Sequence, residues 1–100
     1  MGTIRIRTLN IDEKPLKELI RSIMAFVENV DVRSQSVTVE RTSTASVHVY
    51  GDTEENALGL VSTVEAWATR HRIRATVFTP EGQVVRVVEV QGRGVLGKRG

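Results

Sequence analysis

The sequence predicts an α+β domain, a ferredoxin-like βαββαβ sandwich with an additional C-terminal strand. Apolar residues recur at helical spacing in two stretches and alternate with polar residues in five others. Along the chain these stretches follow the order βαβ, βαβ, β. Two packed units of this kind place an antiparallel sheet against two helices on one face. We therefore expect the strand order 5-4-1-3-2, with the fifth strand at an edge.

Length and composition predict one domain followed by a short tail. A chain of 100 residues can bury one core but not two, and its 40% hydrophobic and 26% charged residues are typical of globular proteins. Residues 1–91 are expected to form this domain. Residues 92–100 contain four glycines and three cations, a composition typical of a flexible basic tail.

The first half begins with a predicted strand and helix. Thr3–Thr8 alternates polar and apolar residues, as a half-buried strand does. Asn10 and Asp12 are helix-capping residue types, and Pro15 fits a first helical turn. An apolar stripe at helical spacing then runs to Val30, which predicts a long helix that faces the core.

A hairpin is predicted next. Ser36–Arg41 and Ala45–Tyr50 both alternate around valine or alanine, and the polar linker Thr42-Ser43-Thr44 separates them. These two strands complete the first βαβ unit and begin the second.

The second half carries the strongest local pattern. Asp52 or Thr53 can cap a helix that runs to about Arg70. The strand Arg72–Thr79, a Pro80-Glu81-Gly82 turn and the strand Val84–Val90 then predict a hairpin. The core predicted from all elements consists of Ile4, Ile6, Leu19, Ile23, Phe26, Val37, Val47, Val49, Val61, Val64, Ile73, Val77 and Val87.

The residue types of the chain give little support for catalysis or for a metal site. The chain has no cysteine, so a disulfide, a thiol nucleophile and a thiolate metal site are excluded. His71 closes the second helix, where a cation complements the helix dipole, and His48 has no acidic residue at a suitable spacing. We therefore predict no enzyme activity, no metal and no cofactor.

No apolar run reaches the roughly 20 residues that span a bilayer, and the first ten residues lack the apolar segment of a signal peptide. The expected compartment is the cytoplasm, without membrane contact.

Arginine is the dominant cation, with eleven arginines against three lysines. Arginine suits planar anion recognition, although a GC-rich coding bias explains the excess equally well. In the predicted sheet, arginines and aromatic residues share the face away from the helices, where a single-stranded nucleic acid could bind. A solvated or self-associating face is the alternative. The predicted anion or nucleic-acid face consists of Arg5, Arg7, His48, Tyr50, Arg72 and Arg74, with Arg86 beside them.

The fifth strand suggests a second kind of contact. A valine-rich edge strand without proline exposes unpaired backbone groups, which natural proteins rarely leave bare. We expect another copy or a partner chain to cover it, unless the tail folds back over its own edge. The predicted interaction surface consists of Val84, Arg86, Val88, Val90, Arg93, Lys98 and Arg99.

A family resemblance covers about a third of the chain. The helical run Leu60–Arg72 and the hairpin Thr76–Val85 resemble the helix, basic turn and Pro-acid-Gly hairpin of the effector-associated constant component. This small bacterial domain accompanies protease and other effectors in conflict systems. The resemblance implies an adaptor role without catalytic residues.

The sequence thus favours a non-enzymatic interaction or assembly module, as an adaptor or subunit of a larger bacterial or viral complex. The alternative is a nucleic-acid-binding protein that uses the arginine-rich face and the basic tail.

Overall fold

The computed structural model describes residues 2–34 and 45–89. Seven elements follow one another along this part of the chain, in the order β-α-β-β-α-β-β. They are β1 (Thr3–Leu9), α1 (Glu13–Met24), β2 (Asn29–Ser34), β3 (Ser46–Tyr50), α2 (Glu54–His71), β4 (Arg74–Phe78) and β5 (Val84–Val88).

The strands form one mixed sheet with the order β2-β1-β3-β4-β5. The pairs β1/β2 and β3/β4 are parallel, whereas β1/β3 and β4/β5 are antiparallel. The predicted α+β class, with two helices and five strands, is confirmed. The predicted antiparallel sheet with order 5-4-1-3-2 is wrong. In the ferredoxin-like plan the strands of each βαβ unit are separated, but here each helix crosses directly between two neighbouring parallel strands.

The first unit differs most from the prediction. α1 ends at Met24, not near Val30, and the chain turns before β2 begins at Asn29. Val30 and Val32 pack against the core, while Asp31 is paired with Arg5 of β1. Val30 fits both the apolar spacing of a helix and the alternation of this short strand. The helical pattern therefore predicts a helix at the position where β2 begins.

The predicted hairpin of Ser36–Arg41 with Ala45–Tyr50 stays a prediction, and only its second arm, β3, belongs to the described residues. β1 lies between β2 and β3, so these consecutive strands are not neighbours. The predicted strand Ser36–Arg41 and its turn 42–44 lie outside the described residues.

The second unit agrees closely with the sequence pattern. The Thr53 hydroxyl accepts a hydrogen bond from the Asn56 amide at 3.0 Å, which caps α2 as predicted. Arg72 adopts a left-handed conformation with φ 58° and closes the helix, so β4 begins at Arg74 and not at Arg72. The Gly82 amide donates to the Thr79 carbonyl at 2.9 Å with Gly82 φ at 88°, which closes the predicted β4–β5 hairpin.

One core lies between the sheet and the two helices. The Trp67 indole Nε1 donates to the Pro15 carbonyl at 2.8 Å, which joins α2 to the first turn of α1. Two residues predicted to be buried are not: Phe26 is 62% exposed beyond the end of α1, and Val87 is 45% exposed. Val61 is partly buried, and Val37 lies outside the described residues. The confirmed core residues are Ile4, Ile6, Leu19, Ile23, Val47, Val49, Val64, Ile73 and Val77.

Candidate interaction surfaces on the sheet

The sheet face away from the helices, here called the open face, carries two kinds of side chain. Ile4, Ile6, Val47 and Val49 point to the core, so the residues between them point outward. Strand register arranges most of these outward residues in two full rows, beside a shorter row of Leu9, Ser46 and Arg74. The first row is Asp31, Arg5, Tyr50, Phe78 and Val84, and the second is Arg33, Arg7, His48, Thr76 and Val87.

An aromatic cluster occupies the middle of the open face. The Tyr50 and Phe78 rings stack with centroids 4.6 Å apart and planes 12° apart. His48 meets Phe78 edge-on at 5.1 Å, and the Arg5 guanidinium carbon lies 6.0 Å from the Tyr50 ring centroid. Because the two aromatic rings pack face to face, they shield each other's inner faces from an incoming base.

Arginines converge on the β1–β2 side of this cluster. An open cavity of about 600 Å³ is lined by Arg5, Arg7, Arg33, Tyr50, Pro80, Glu81 and Gly82. The Arg33 Nε lies 3.3 Å from the Asp31 carboxylate, so this cation is partly balanced. Arg7 has no ion-pair partner among residues 2–34 and 45–89. A concave, cationic surface therefore lies next to the aromatic cluster.

His48 lies between the cationic and apolar parts of the open face. Burial of the imidazole lowers the pKa of His48, and the neighbouring Arg7 charge lowers it further. Its ring has no hydrogen-bond partner in the part of the chain that the structure describes.

The structure brings together most, but not all, of the predicted anion face. Arg5, Arg7, His48, Tyr50 and Arg74 lie on the open face as expected, and the Arg74 Nε lies 3.3 Å from the Glu89 carboxylate. The prediction for Arg72 is wrong, because this residue ends α2 and does not belong to a strand.

Arg33 lines the cavity but was missed from the sequence. The alternation of Val30 and Val32 with Asp31 and Arg33 was the pattern that could have placed it on a strand.

The outer edge of β5 and its two outward valines, here called the valine edge, form the second candidate surface. β5 is an edge strand, as predicted, and Val84 and Val87 are 57% and 45% exposed. A register shift opposite Val77 and Phe78 lets both valines lie on the open face, since Phe78 pairs with Val84 and Thr76 with Val87.

This irregularity corrects the predicted interaction surface. Arg86 pairs with Val77 and points to the helix side, where its Nη2 lies 2.8 Å from the Glu65 carboxylate of α2. The Val88 side chain is buried against the core with only 8% exposure, so Val88 offers a partner its backbone and little side-chain surface. The remaining predicted members, Val90, Arg93, Lys98 and Arg99, lie outside the described residues.

His71 has a structural role at the contact between the helices. Its Nε2 lies 2.7 Å from the Glu18 Oε1, and the Arg70 Nη1 lies 2.5 Å from the Glu18 Oε2. The hydrogen bond from His71 lowers the pKa of Glu18, and the Arg70 charge acts in the same direction. The histidine at the end of α2 thus binds α1 through Glu18.

Among the described residues, no helix is long and apolar enough to cross a membrane. The same residues contain no group of three or more histidine, aspartate or glutamate side chains that could hold a metal ion.

Comparison of the chain with protein-family models, curated proteins and solved structures finds no match. The resemblance of Leu60–Val85 to the effector-associated constant component therefore stays a prediction. The surfaces of the domain itself carry the functional argument.

Proposed function

We propose that this domain is a non-enzymatic protein–protein interaction module that assembles through the valine edge. The observation that carries the proposal is an edge strand with two exposed valines on one face. In this role the domain would serve as an adaptor or a subunit of a larger assembly, as the resemblance to the effector-associated constant component also implies.

The backbone of β5 is available for strand addition. Its inner side pairs with β4, and within residues 2–34 and 45–89 no strand pairs with its outer side. Natural proteins blunt such edges with charged side chains, prolines or bulges. Here the bulge lies near Val84, and the Arg86 side chain is directed to Glu65, away from the open face. The Arg86–Val88 segment therefore keeps regular pairing geometry for an incoming strand.

A second copy of the chain fits this edge. Two antiparallel β5 strands related by a two-fold axis form a self-complementary interface. An axis beside Val87 sets the two Val87 side chains opposite each other and Arg86 opposite Val88 of the other copy. Like charges then do not meet across the interface, which favours this register.

The open face supports the alternative of single-stranded nucleic-acid binding less well. Such binding uses aromatic side chains whose faces are free to stack on bases. Tyr50 and Phe78 instead stack on each other, and the Arg5 guanidinium lies near the Tyr50 ring.

A cysteine variant tests the interface because the natural chain contains no cysteine. In an antiparallel pair, opposite Cα atoms lie about 4.5–5.5 Å apart, within the range of about 4.4–6.8 Å that a disulfide spans. We expect Val87→Cys to form a disulfide-linked dimer under mild oxidation, measured by non-reducing electrophoresis. Ser62→Cys, at an exposed position of α2, is the matched control and should stay monomeric.

Disruption of the same interface by Val87→Lys complements the crosslinking test. Sedimentation equilibrium should show a dimer for the natural chain and a monomer for this variant, with unchanged circular dichroism. Two results would overturn the proposal. One is crosslinking of Val87→Cys no faster than of Ser62→Cys, with equal masses for the natural chain and Val87→Lys. The other is association that increases when residues 92–100 are deleted, since the tail would then be the segment that covers the edge.

A further inference from the structure

Arg7 and Arg33 lie side by side on the open face, and only Arg33 forms an ion pair with a described acidic residue. The parallel register of β1 and β2 pairs these two residues directly. Like charges in adjacent strand positions destabilise a sheet. Asp31 balances Arg33 at 3.3 Å, but no described residue forms an ion pair with Arg7. Among residues 2–34 and 45–89, this cation pair thus has one acidic partner, which belongs to Arg33.

Arg5 adds a third guanidinium on the same face. It lies two residues before Arg7 on β1, and its guanidinium is held near the Tyr50 ring. The three arginines line one cavity of about 600 Å³, a volume within the roughly 300–1,000 Å³ of small-molecule sites. The Pro80–Gly82 turn also lines this open cavity. Three cations and the hairpin turn therefore border one concave surface.

The chemistry of the lining selects the class of ligand. Arginine presents donors in a planar fork that matches the oxygens of phosphate and carboxylate groups. Two carboxylates, Asp31 and Glu81, lie close by, so the surplus of positive charge is small and local. Such a site suits one compact phosphate group better than a long polyanion, because Glu81 would repel the additional phosphates.

We propose that this cavity binds the phosphate group of a small phosphorylated molecule through Arg5, Arg7 and Arg33. The proposal differs from the valine edge in the side chains it uses, because the arginines belong to β1 and β2 whereas Val84 and Val87 belong to β5. A bound phosphate supplies an anion to Arg7, for which the described residues provide no ion-pair partner. The phosphate chemistry could also come from a nucleic-acid backbone, and the experiment separates the two sources.

Isothermal titration calorimetry at constant ionic strength tests the proposal with three probes. These are inorganic phosphate, adenosine 5′-monophosphate and a short oligothymidylate. We expect the mononucleotide to bind, and Arg7→Gln to weaken its binding by at least about tenfold, since the substitution removes a charge-assisted hydrogen bond to the phosphate. Arg33→Gln should weaken it in the same direction.

Two further variants show whether the effect is local. Lys17→Gln removes one positive charge from the exposed side of α1 and should leave the affinity unchanged. Glu81→Gln removes a carboxylate from the cavity and should tighten binding a few-fold. In the absence of ligand, Arg7→Gln should unfold at the same or a higher temperature than the natural chain, because the repulsion with Arg33 is relieved.

Three results would overturn the proposal. The first is no detectable binding of phosphate or the mononucleotide. The second is equal weakening by Arg7→Gln and Lys17→Gln, which indicates only a general charge effect. The third is an oligothymidylate that binds more tightly than the mononucleotide with the same dependence on Arg7, which assigns the cavity to nucleic acid.

Discussion

The two βαβ units share one connectivity but contribute differently to the domain. The second unit, β3-α2-β4, contains an 18-residue helix that buries Ala57, Leu60, Val64, Trp67 and Ala68. The first unit, β1-α1-β2, contains a 12-residue helix that buries only Leu19 and Ile23. The first unit also holds Arg5, Arg7 and Arg33, of which only Arg33 forms an ion pair with a described residue, whereas the second continues into the valine edge. Most of the buried helix surface thus lies in one unit, and the cationic part of the open face lies in the other.

The largest expected loss comes from the second unit. Trp67 is 2% exposed and its indole joins α2 to α1. Trp67→Ala should lower the free energy of unfolding by about 3–5 kcal/mol, because it leaves a large cavity and removes the hydrogen bond to Pro15. Urea unfolding followed by circular dichroism measures this loss. A loss below that of Ile23→Ala would show that α2 is not the main source of stability.

A smaller loss is expected from the first unit. Ile23 is fully buried on α1, and Ile23→Ala should lower the free energy of unfolding by roughly 2–4 kcal/mol. The matched control is Phe26→Ser just beyond α1, where 62% exposure predicts a change within about 0.5 kcal/mol. Unchanged stability in Ile23→Ala would show that α1 does not pack on the sheet as described.

The smallest effect concerns the ionic contact between the units. Glu18 has a lowered pKa in the folded domain, so its contribution is present above its unfolded pKa of about 4.5 and is lost as the pH falls through the lower folded value. The thermal stability of the natural chain should therefore decrease as the pH falls below about 4.5. Glu18→Gln should show a flatter dependence in that range.

The exposed pair of Glu13 and Lys17 supplies the control for this pH effect, because both residues belong to α1 and do not link the units. Glu13→Gln should retain the steep acid dependence of the natural chain. An equally steep profile for Glu18→Gln would mean that other carboxylates cause the acid sensitivity.

The sequence predicted the second unit better than the first for a physical reason. Thr53 marks the start of α2, and the Pro80–Gly82 turn marks the hairpin, each with side-chain or backbone chemistry specific to that feature. The end of α1 has no such marker, and Val30 fits both a helical stripe and a strand. Local patterns also do not state which strands are neighbours, because two βαβ units can be joined in more than one order.

The sequence predicted the open face and the valine edge only in part, again because local patterns do not mark every strand and every irregularity. Alternation placed Arg5 and Arg7 on the outward face of β1 correctly. Arg33 was missed with its strand, and the register shift in β5 moved Arg86 to the helix side. A one-residue irregularity reverses the facing of a side chain, and simple alternation does not reveal it.

The hydrogen bond between Trp67 and Pro15 also gives the domain an optical reporter. Trp67 is the only tryptophan of the chain and is almost fully buried where the two helices meet. Its emission should be blue-shifted when α1 is docked on α2 and shift to the red when α1 separates, even if α2 stays folded on its own strands. Fluorescence during unfolding therefore reports the closure of one unit on the other, whereas circular dichroism reports the helices themselves. A difference between the two transitions would reveal a state in which the units have parted but the longer helix persists.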